Sequence, residues 1–97
     1  MATSSERYVG IDVAKDRLDV AVLGEERVLQ VENTQEGIDK LAQQMQAMQP
    51  ELIVVEATGG YQRAVVEALF WAGLAVAVAN PARVRQRFWA VRQVWEW

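Results

Sequence analysis

The hydrophobic pattern of the chain, which changes from strand-like alternation to helical spacing, is the feature that most constrains its fold. The strand-like part comes first. Every second residue is apolar in residues 8–13 and again in residues 18–22, with a short polar turn between them. This alternation is typical of strands that place one face in a core. A Gly-Glu-Glu turn at residues 24–26 follows, and residues 27–31 have the pattern of a third strand. The start of the chain is therefore predicted to be an antiparallel meander.

Helical and strand patterns alternate after the meander. Asn33 followed by Glu36 resembles a capping box, and the helix that it begins is expected to end before Pro50. Residues 52–55 form a short, continuous apolar run, typical of a strand buried on both faces. The apolar residues expected to line the core side of the first helix are Ile38, Leu41, Met45 and Met48.

The last third of the chain repeats this helix and strand succession. A second helix is expected to bury Tyr61, Val65, Ala68 and Leu69 and to end at Gly73. Residues 74–79 predict a small buried strand. Asn-Pro at positions 80–81 predicts the start of a last helix with Val84, Phe88, Val91 and Trp95 on one face.

The predicted order is β-β-β-α-β-α-β-α, which gives an α/β fold. Three antiparallel strands followed by two helix-linked parallel strands make a mixed five-stranded sheet covered by helices. The chain of 97 residues fits one domain, residues 1–97, with residues 1–6 expected to be a disordered tail.

The composition excludes several kinds of site. The chain contains neither cysteine nor histidine, so disulfides, thiolate metal sites and histidine-based triads cannot form within it. A bound metal would have to be a hard cation held by oxygen atoms. Because no signal peptide or membrane-spanning run is visible, we expect a cytoplasmic protein without a membrane partner.

The charges are distributed unevenly although the net charge is only −3. Nine of the thirteen acidic residues lie in residues 1–50, and the arginines near the end are Arg83, Arg85, Arg87 and Arg92. Together with Trp89, Trp95 and Trp97, these arginines could form a nucleic-acid surface. A solvated helix face, core packing or a self-associating surface explains the same residues.

Two carboxylates lie at the carboxyl ends of predicted strands. Asp12 lies on the polar side at the end of the first strand, and Glu56 directly follows the apolar run of the fourth. If the fourth strand pairs with the first, the two carboxylates stand side by side and repel one another unless a cation lies between them. Magnesium would satisfy this pair. The alternatives are that Asp12 caps a turn and that Glu56 forms an ion pair with Lys15 or Arg63.

The turn after the fourth strand is a second candidate site. The backbone N–H groups of Thr58, Gly59 and Gly60 could face a phosphate, and Lys15 could contact DNA close to the carboxylates. The turn lacks the spacing and the lysine of a Walker loop. An ordinary turn and a solvated lysine are the alternatives.

Three segments together resemble one family. Residues 8–16 (YVGIDVAKD) with 18–22 (LDVAV), residues 55–61 (VEATGGY) and residues 78–86 (VANPARVRQ) are similar to DEDD-type transposases of the insertion-sequence one-ten kind. The resemblance runs from about Tyr8 to Gln86. It implies a ribonuclease-H-like (RuvC-like) domain in which four acidic residues bind two divalent metals, Mg²⁺ or Mn²⁺.

The resemblance assigns roles to residues of this chain. Asp12 and Glu56 match the first two acidic residues, as catalytic metal ligands. DNA is the implied substrate, and RNA is a second candidate partner because some members choose their sites through a structured RNA. Independently of the resemblance, the apolar face of the predicted C-terminal helix favours a homo-oligomer, a dimer, formed through this helix.

The chain departs from the family pattern after Gln86. The family's other two aspartates lie downstream in a stretch similar to Lys-Thr-Asp-x-x-Asp, but no aspartate follows Asp39 here, and the domain with the nucleophilic serine is absent. We therefore expect a truncated or frameshifted N-terminal domain that binds metal weakly and is inactive alone.

Two other functions remain open at this point. A non-catalytic module would bind nucleic acid or associate with itself through the last helix. An actin-like ATPase half also begins with Gly-Ile-Asp, but its glycine and hydroxyl residues are replaced here by Val13, Ala14 and Lys15.

Overall fold

The order of elements follows the predicted one. The structure, a computed structural model, describes residues 7–25, 28–57 and 59–79. The elements are β1 (Tyr8–Val13), β2 (Arg17–Val22), β3 (Val28–Glu32), α1 (Gln35–Met48), β4 (Leu52–Ala57), α2 (Arg63–Trp71) and β5 (Val76–Ala79). The predicted tail at residues 1–6 and the predicted last helix lie outside the described residues.

The strands form one mixed sheet in the order β3-β2-β1-β4-β5. β1 pairs antiparallel with β2, and β2 with β3, whereas β1 with β4 and β4 with β5 are parallel. Each parallel connection runs through a helix, as parallel pairing requires. The predicted meander followed by helix-linked strands is confirmed, and this mixed sheet is consistent with the ribonuclease-H-like fold that the resemblance implies.

The hydrophobic core lies between one face of this sheet and both helices. Alternate strand residues face the helices, and every core residue is at most 2% exposed. The sheet contributes Val9, Ile11, Val13, Leu18, Val20, Ile53 and Val55, and the helices contribute Ile38, Leu41, Met45, Val65 and Leu69. The opposite face carries the intervening residues, and neither α1 nor α2 covers it.

The ends of α1 show where the predicted cap is wrong. The N-cap is Thr34 rather than Asn33, because the Thr34 Oγ1 accepts a hydrogen bond of 3.1 Å from the Gly37 N–H. The Asn33 side chain instead donates hydrogen bonds to other segments of the chain. The helix ends at Met48, with Gln49 left-handed at φ 53° before Pro50, so the predicted end is confirmed.

The predicted burial is wrong for two residues, Tyr61 and Val78, and for one strand, β4. Tyr61 precedes α2 and is 46% exposed, so it is not part of the buried stripe formed by Val65 and Leu69. Val78 in β5 is 51% exposed, because β5 lies at the edge of the sheet. In β4, Ile53 and Val55 are fully buried but Leu52 and Val54 are only partly buried, because the two described helices cover a single face.

Candidate metal-binding carboxylate pair

Asp12 and Glu56 occupy directly opposite positions in the parallel ladder of β1 and β4. Each residue is the last but one of its strand. Chain neighbours Ile11 and Val55 point into the core, so alternation sends both carboxylates to the opposite, open face. Adjacent strands are separated by about 4.8 Å, and the two side chains therefore leave the sheet next to one another.

The site is held in place by the core beneath it. Ile11 and Val55 are opposite one another in the same ladder and are 1% and 0% exposed. A slip of one residue in either strand would move an apolar side chain to the open face and a carboxylate into the core. The hydrophobic pattern thus fixes the register that brings Asp12 and Glu56 together.

Asp19 extends the row of carboxylates on the other side of Asp12. It is the antiparallel partner of Asp12 in β2 and is therefore on the same face. Asp19 is not among the site residues predicted from the sequence. The signal was available, because the register of two strands joined by a short turn follows from counting outward from the turn.

The Asp19 carboxylate has a different environment from that of Asp12. Its Oδ1 atom is buried, lies 3.4 Å from the Arg17 Nε and accepts no hydrogen bond from the described residues. The Arg17 guanidinium partly neutralises the charge at this end of the row. Asp12, in the centre of the row, is exposed to solvent.

The donor chemistry of the pair fits a hard divalent cation, but the number of protein ligands is small. Carboxylate oxygens are the ligands that Mg²⁺ and Mn²⁺ prefer. Within residues 7–25, 28–57 and 59–79, no group of three or more acidic side chains is arranged to hold a metal ion. A cation held by Asp12 and Glu56 alone would need oxygen atoms from other molecules in most of its coordination positions.

The loops beyond the two strands lie at the same edge of the sheet. Lys15 is exposed in the turn between β1 and β2. Gly59 and Gly60 follow β4 with φ angles of 77° and 82°, a conformation that favours glycine. Because α2 begins only at Arg63, the helix N-terminus does not directly follow the glycines. Thr58 and the predicted nucleic-acid contacts Arg83, Arg85 and Arg87 lie outside the described residues.

Asn33 connects the two loops and was also missed as a site residue. Its Nδ2 atom donates to the Ala14 carbonyl at 2.9 Å and to the Tyr61 carbonyl at 3.4 Å. Sequence reasoning assigned Asn33 to the helix cap, and no local pattern reveals bonds to residues 19 and 28 positions away.

Among the described residues, neither α1 nor α2 has the length and apolar composition of a membrane-spanning helix.

Comparison with known proteins identifies the family. No curated protein matches the chain. The family model of DEDD transposases of the IS110 type, described as transposase, matches residues 9–93. This stretch contains Asp12, Glu56 and both helices, and it includes the third motif near residue 80. The match covers most of the chain, and it supports the ribonuclease-H-like fold predicted from the sequence. The chain therefore belongs to the IS110-type DEDD transposase family.

Proposed function

We propose that this chain forms the first part of a transposase catalytic domain, in which Asp12 and Glu56 hold one divalent cation close to DNA. The single observation that supports this function is the direct pairing of the two residues at the carboxyl ends of parallel strands. Ligands of open α/β sheets gather at these strand ends. The family match adds DNA as the substrate class.

Electrostatics supports a cation between the two strands. Like charges that face each other across a ladder destabilise a sheet, and Asp12 has an acidic neighbour on each side, in Asp19 and Glu56. A divalent cation would convert this repulsion into attraction. Bound there, Mg²⁺ or Mn²⁺ would supply Lewis-acid polarisation of a phosphodiester oxygen.

The surrounding loops would orient the DNA. Lys15 is exposed three residues after Asp12 and would place an ammonium group against a backbone phosphate. The N–H groups of Thr58, Gly59 and Gly60 would approach a second phosphate, since glycine lets the backbone come close. Arg83, Arg85 and Arg87 would extend the basic surface along the DNA, with RNA as a second partner.

Two protein ligands are too few for the chemistry of the complete domain. Two-metal catalysis needs both ions clamped around the attacking and leaving oxygens. The 97-residue chain has no aspartate after Asp39 to match the family's last two. We therefore propose that it binds a single cation weakly and is inactive alone. Its association through the predicted last helix, which lies outside the described residues, stays a prediction that light scattering would test.

The metal site can be tested by comparing two carboxylates at opposite ends of β4, Glu56 and Glu51. We expect Mn²⁺ to broaden the amide NMR signals around residues 12 and 56, with an apparent Kd on the order of a millimolar because only two carboxylates bind. Glu56→Gln should weaken Mn²⁺ binding about tenfold or more, because it removes a charged ligand. Glu51→Gln, directly before the start of β4, is the matched control and should leave binding unchanged.

Equal loss of affinity in Glu56→Gln and Glu51→Gln would contradict the proposed site. Broadening centred on another part of the chain would contradict it as well. Asp12→Asn should reproduce the effect of Glu56→Gln, whereas Asp39→Asn, an exposed carboxylate in α1, should not.

Catalysis by the isolated chain gives a separate prediction. Supercoiled plasmid incubated with the 97-residue chain and Mg²⁺ or Mn²⁺ should be nicked no faster than with Asp12→Asn, because half of the acidic ligands are missing. Agarose electrophoresis measures the conversion to open circles. Robust nicking that Asp12→Asn abolishes would show that two ligands are sufficient and that the proposed inactivity is wrong.

A further inference from the structure

We propose that Asn33 is a positioning residue that holds the end of β1 and the loop after β4 at a fixed spacing, and so preorganises Asp12 and Glu56. This inference rests on the proposed function of the two carboxylates. Asn33 lies between β3 and α1, outside both strands that carry them. Its side chain nevertheless contacts the segment that follows each of those strands.

Both side-chain hydrogen bonds of Asn33 start from one atom, and its backbone N–H forms a third bond. Nδ2 donates to the carbonyl of Ala14, two residues after Asp12, at 2.9 Å, and to the carbonyl of Tyr61, five residues after Glu56, at 3.4 Å. The Asn33 backbone N–H donates to the Asp16 carbonyl at 3.0 Å. Two of the three bonds thus hold the turn after β1, and the third reaches across to the loop after β4.

A backbone hydrogen bond closes the turn after β1. The position of this turn therefore depends on its hydrogen bonds to Asn33. The Ala14 N–H donates to the Arg17 carbonyl at 2.9 Å. The short turn therefore moves as a unit with the end of β1, and the Asn33 amide fixes that unit relative to the Tyr61 segment. A shift between the two segments would alter the separation of the carboxylates that precede them.

The chemistry of the amide explains why asparagine is suited to this position. Both acceptors are backbone carbonyls, so the bridging group must supply two N–H donors, which a carboxamide does. Aspartate at pH 7 has only acceptors and would face two carbonyl oxygens, and serine has a single donor. The cap of α1 does not use the amide, because Thr34 serves as N-cap.

Preorganisation by residues outside the ligand set is a known determinant of metal affinity. Outer partners that orient ligands commonly change metal affinity about 10-fold to 100-fold when they are mutated. Asn33 acts on the strand ends rather than on the carboxylates themselves, so we expect about a tenfold effect, the lower end of that range.

The chain offers a matched control in Gln46. Its Nε2 donates to the Ala72 carbonyl at 3.0 Å, so it too is an amide that joins two distant segments through a backbone carbonyl. This bond joins α1 to the end of α2, away from the carboxylate pair. Loss of either amide removes a tertiary hydrogen bond, but only the loss of Asn33 should affect the ligands.

The experiment compares wild type, Asn33→Ala, Asn33→Asp and Gln46→Ala by Mn²⁺ titration, monitored by NMR line broadening, and by thermal unfolding without metal. We expect both alanine variants to lose similar thermal stability. Mn²⁺ affinity should fall about tenfold in Asn33→Ala and at least as far in Asn33→Asp, and it should be unchanged in Gln46→Ala. If Asn33→Ala does not fold, Asn33→Ser, with one donor, takes its place.

The outcomes separate the inference from the proposed function. If wild type binds Mn²⁺ through Asp12 and Glu56 but the Asn33 variants bind equally well, the positioning role is overturned and the metal site stands. If Gln46→Ala loses as much affinity as Asn33→Ala, the effect is general destabilisation and the inference is overturned. If wild type shows no binding that depends on Asp12 and Glu56, the proposed function fails and the inference fails with it.

Discussion

Gly37→Ala is expected to destabilise the chain severely, although the same substitution stabilises most helices. In an ordinary helix interior, alanine is favoured over glycine by about 1 kcal/mol. Here the added Cβ would collide with the backbone oxygen of Glu32, and it would lie 3.1 Å from the Glu32 carbonyl carbon and 3.2 Å from the Val31 Cγ1. Overpacking against backbone costs about 3 kcal/mol, at the upper end of the usual range.

Thermal unfolding measures this effect directly. For a domain of this size, 3 kcal/mol corresponds to a fall in Tm of roughly 15 °C. Gly10→Ala is the matched control, because a Cβ at Gly10 meets no described atom within 4 Å. We expect Gly10→Ala to leave Tm within a few degrees of wild type. A Gly37→Ala variant as stable as Gly10→Ala would mean that α1 does not approach the end of β3 this closely.

Gly37 illustrates which parts of the fold local patterns can predict. The spacing of Ile38, Leu41 and Met45 predicted α1 and its buried side, because helical periodicity is a local property. The need for glycine at position 37 depends on where β3 ends relative to α1, which is a tertiary relation. From the sequence alone, this glycine is interpreted only as a residue that lowers the stability of the helix.

The cap of α1 shows a second limit. Asn33 and Thr34 are both good N-cap residues, and the spacing of Asn33 to Glu36 favoured the wrong one. The structure uses Thr34 as the cap and directs the Asn33 amide to Ala14 and Tyr61. Which of two adjacent capping residues is used depends on acceptors far away in the sequence, and those become visible only once the sheet is assembled.

The carboxylate pair was predictable to a greater extent than its surroundings. Asp12 and Glu56 each lie close to the end of a recognisable strand, and one topological assumption, pairing of β4 with β1, brings them together. Exposure at the sheet edges was not predictable in the same way. Val78 has the residue type of a core position, and its exposure follows from the strand order rather than from any local pattern.

Reversing the charge of Asp12 should reverse the response of the chain to metal. In Asp12→Lys an ammonium group stands beside Glu56, and the repulsion across the ladder becomes attraction. Without metal, the variant should be more stable than wild type by about 0.5 kcal/mol, the size of a typical cross-strand charge effect. Its affinity for Mg²⁺ or Mn²⁺ should fall at least about a hundredfold, because one ligand is lost and a cation takes the place of the metal.

The measurement is Tm with and without divalent metal. With free metal at ten times Kd, binding should stabilise wild type by about 1.4 kcal/mol, whereas Asp12→Lys should not respond. The order of stability of the two proteins therefore inverts when metal is added.

Asp39→Lys reverses the charge of an exposed carboxylate in α1 and should keep the full response to metal. A wild-type Tm that does not change when metal is added would contradict a cation held between β1 and β4. An increase in the Tm of Asp12→Lys with metal would contradict it as well. A general effect of net charge would change the stability of Asp39→Lys in the same way. If the order of stability inverts only for Asp12→Lys, the added charge acts at the carboxylate pair.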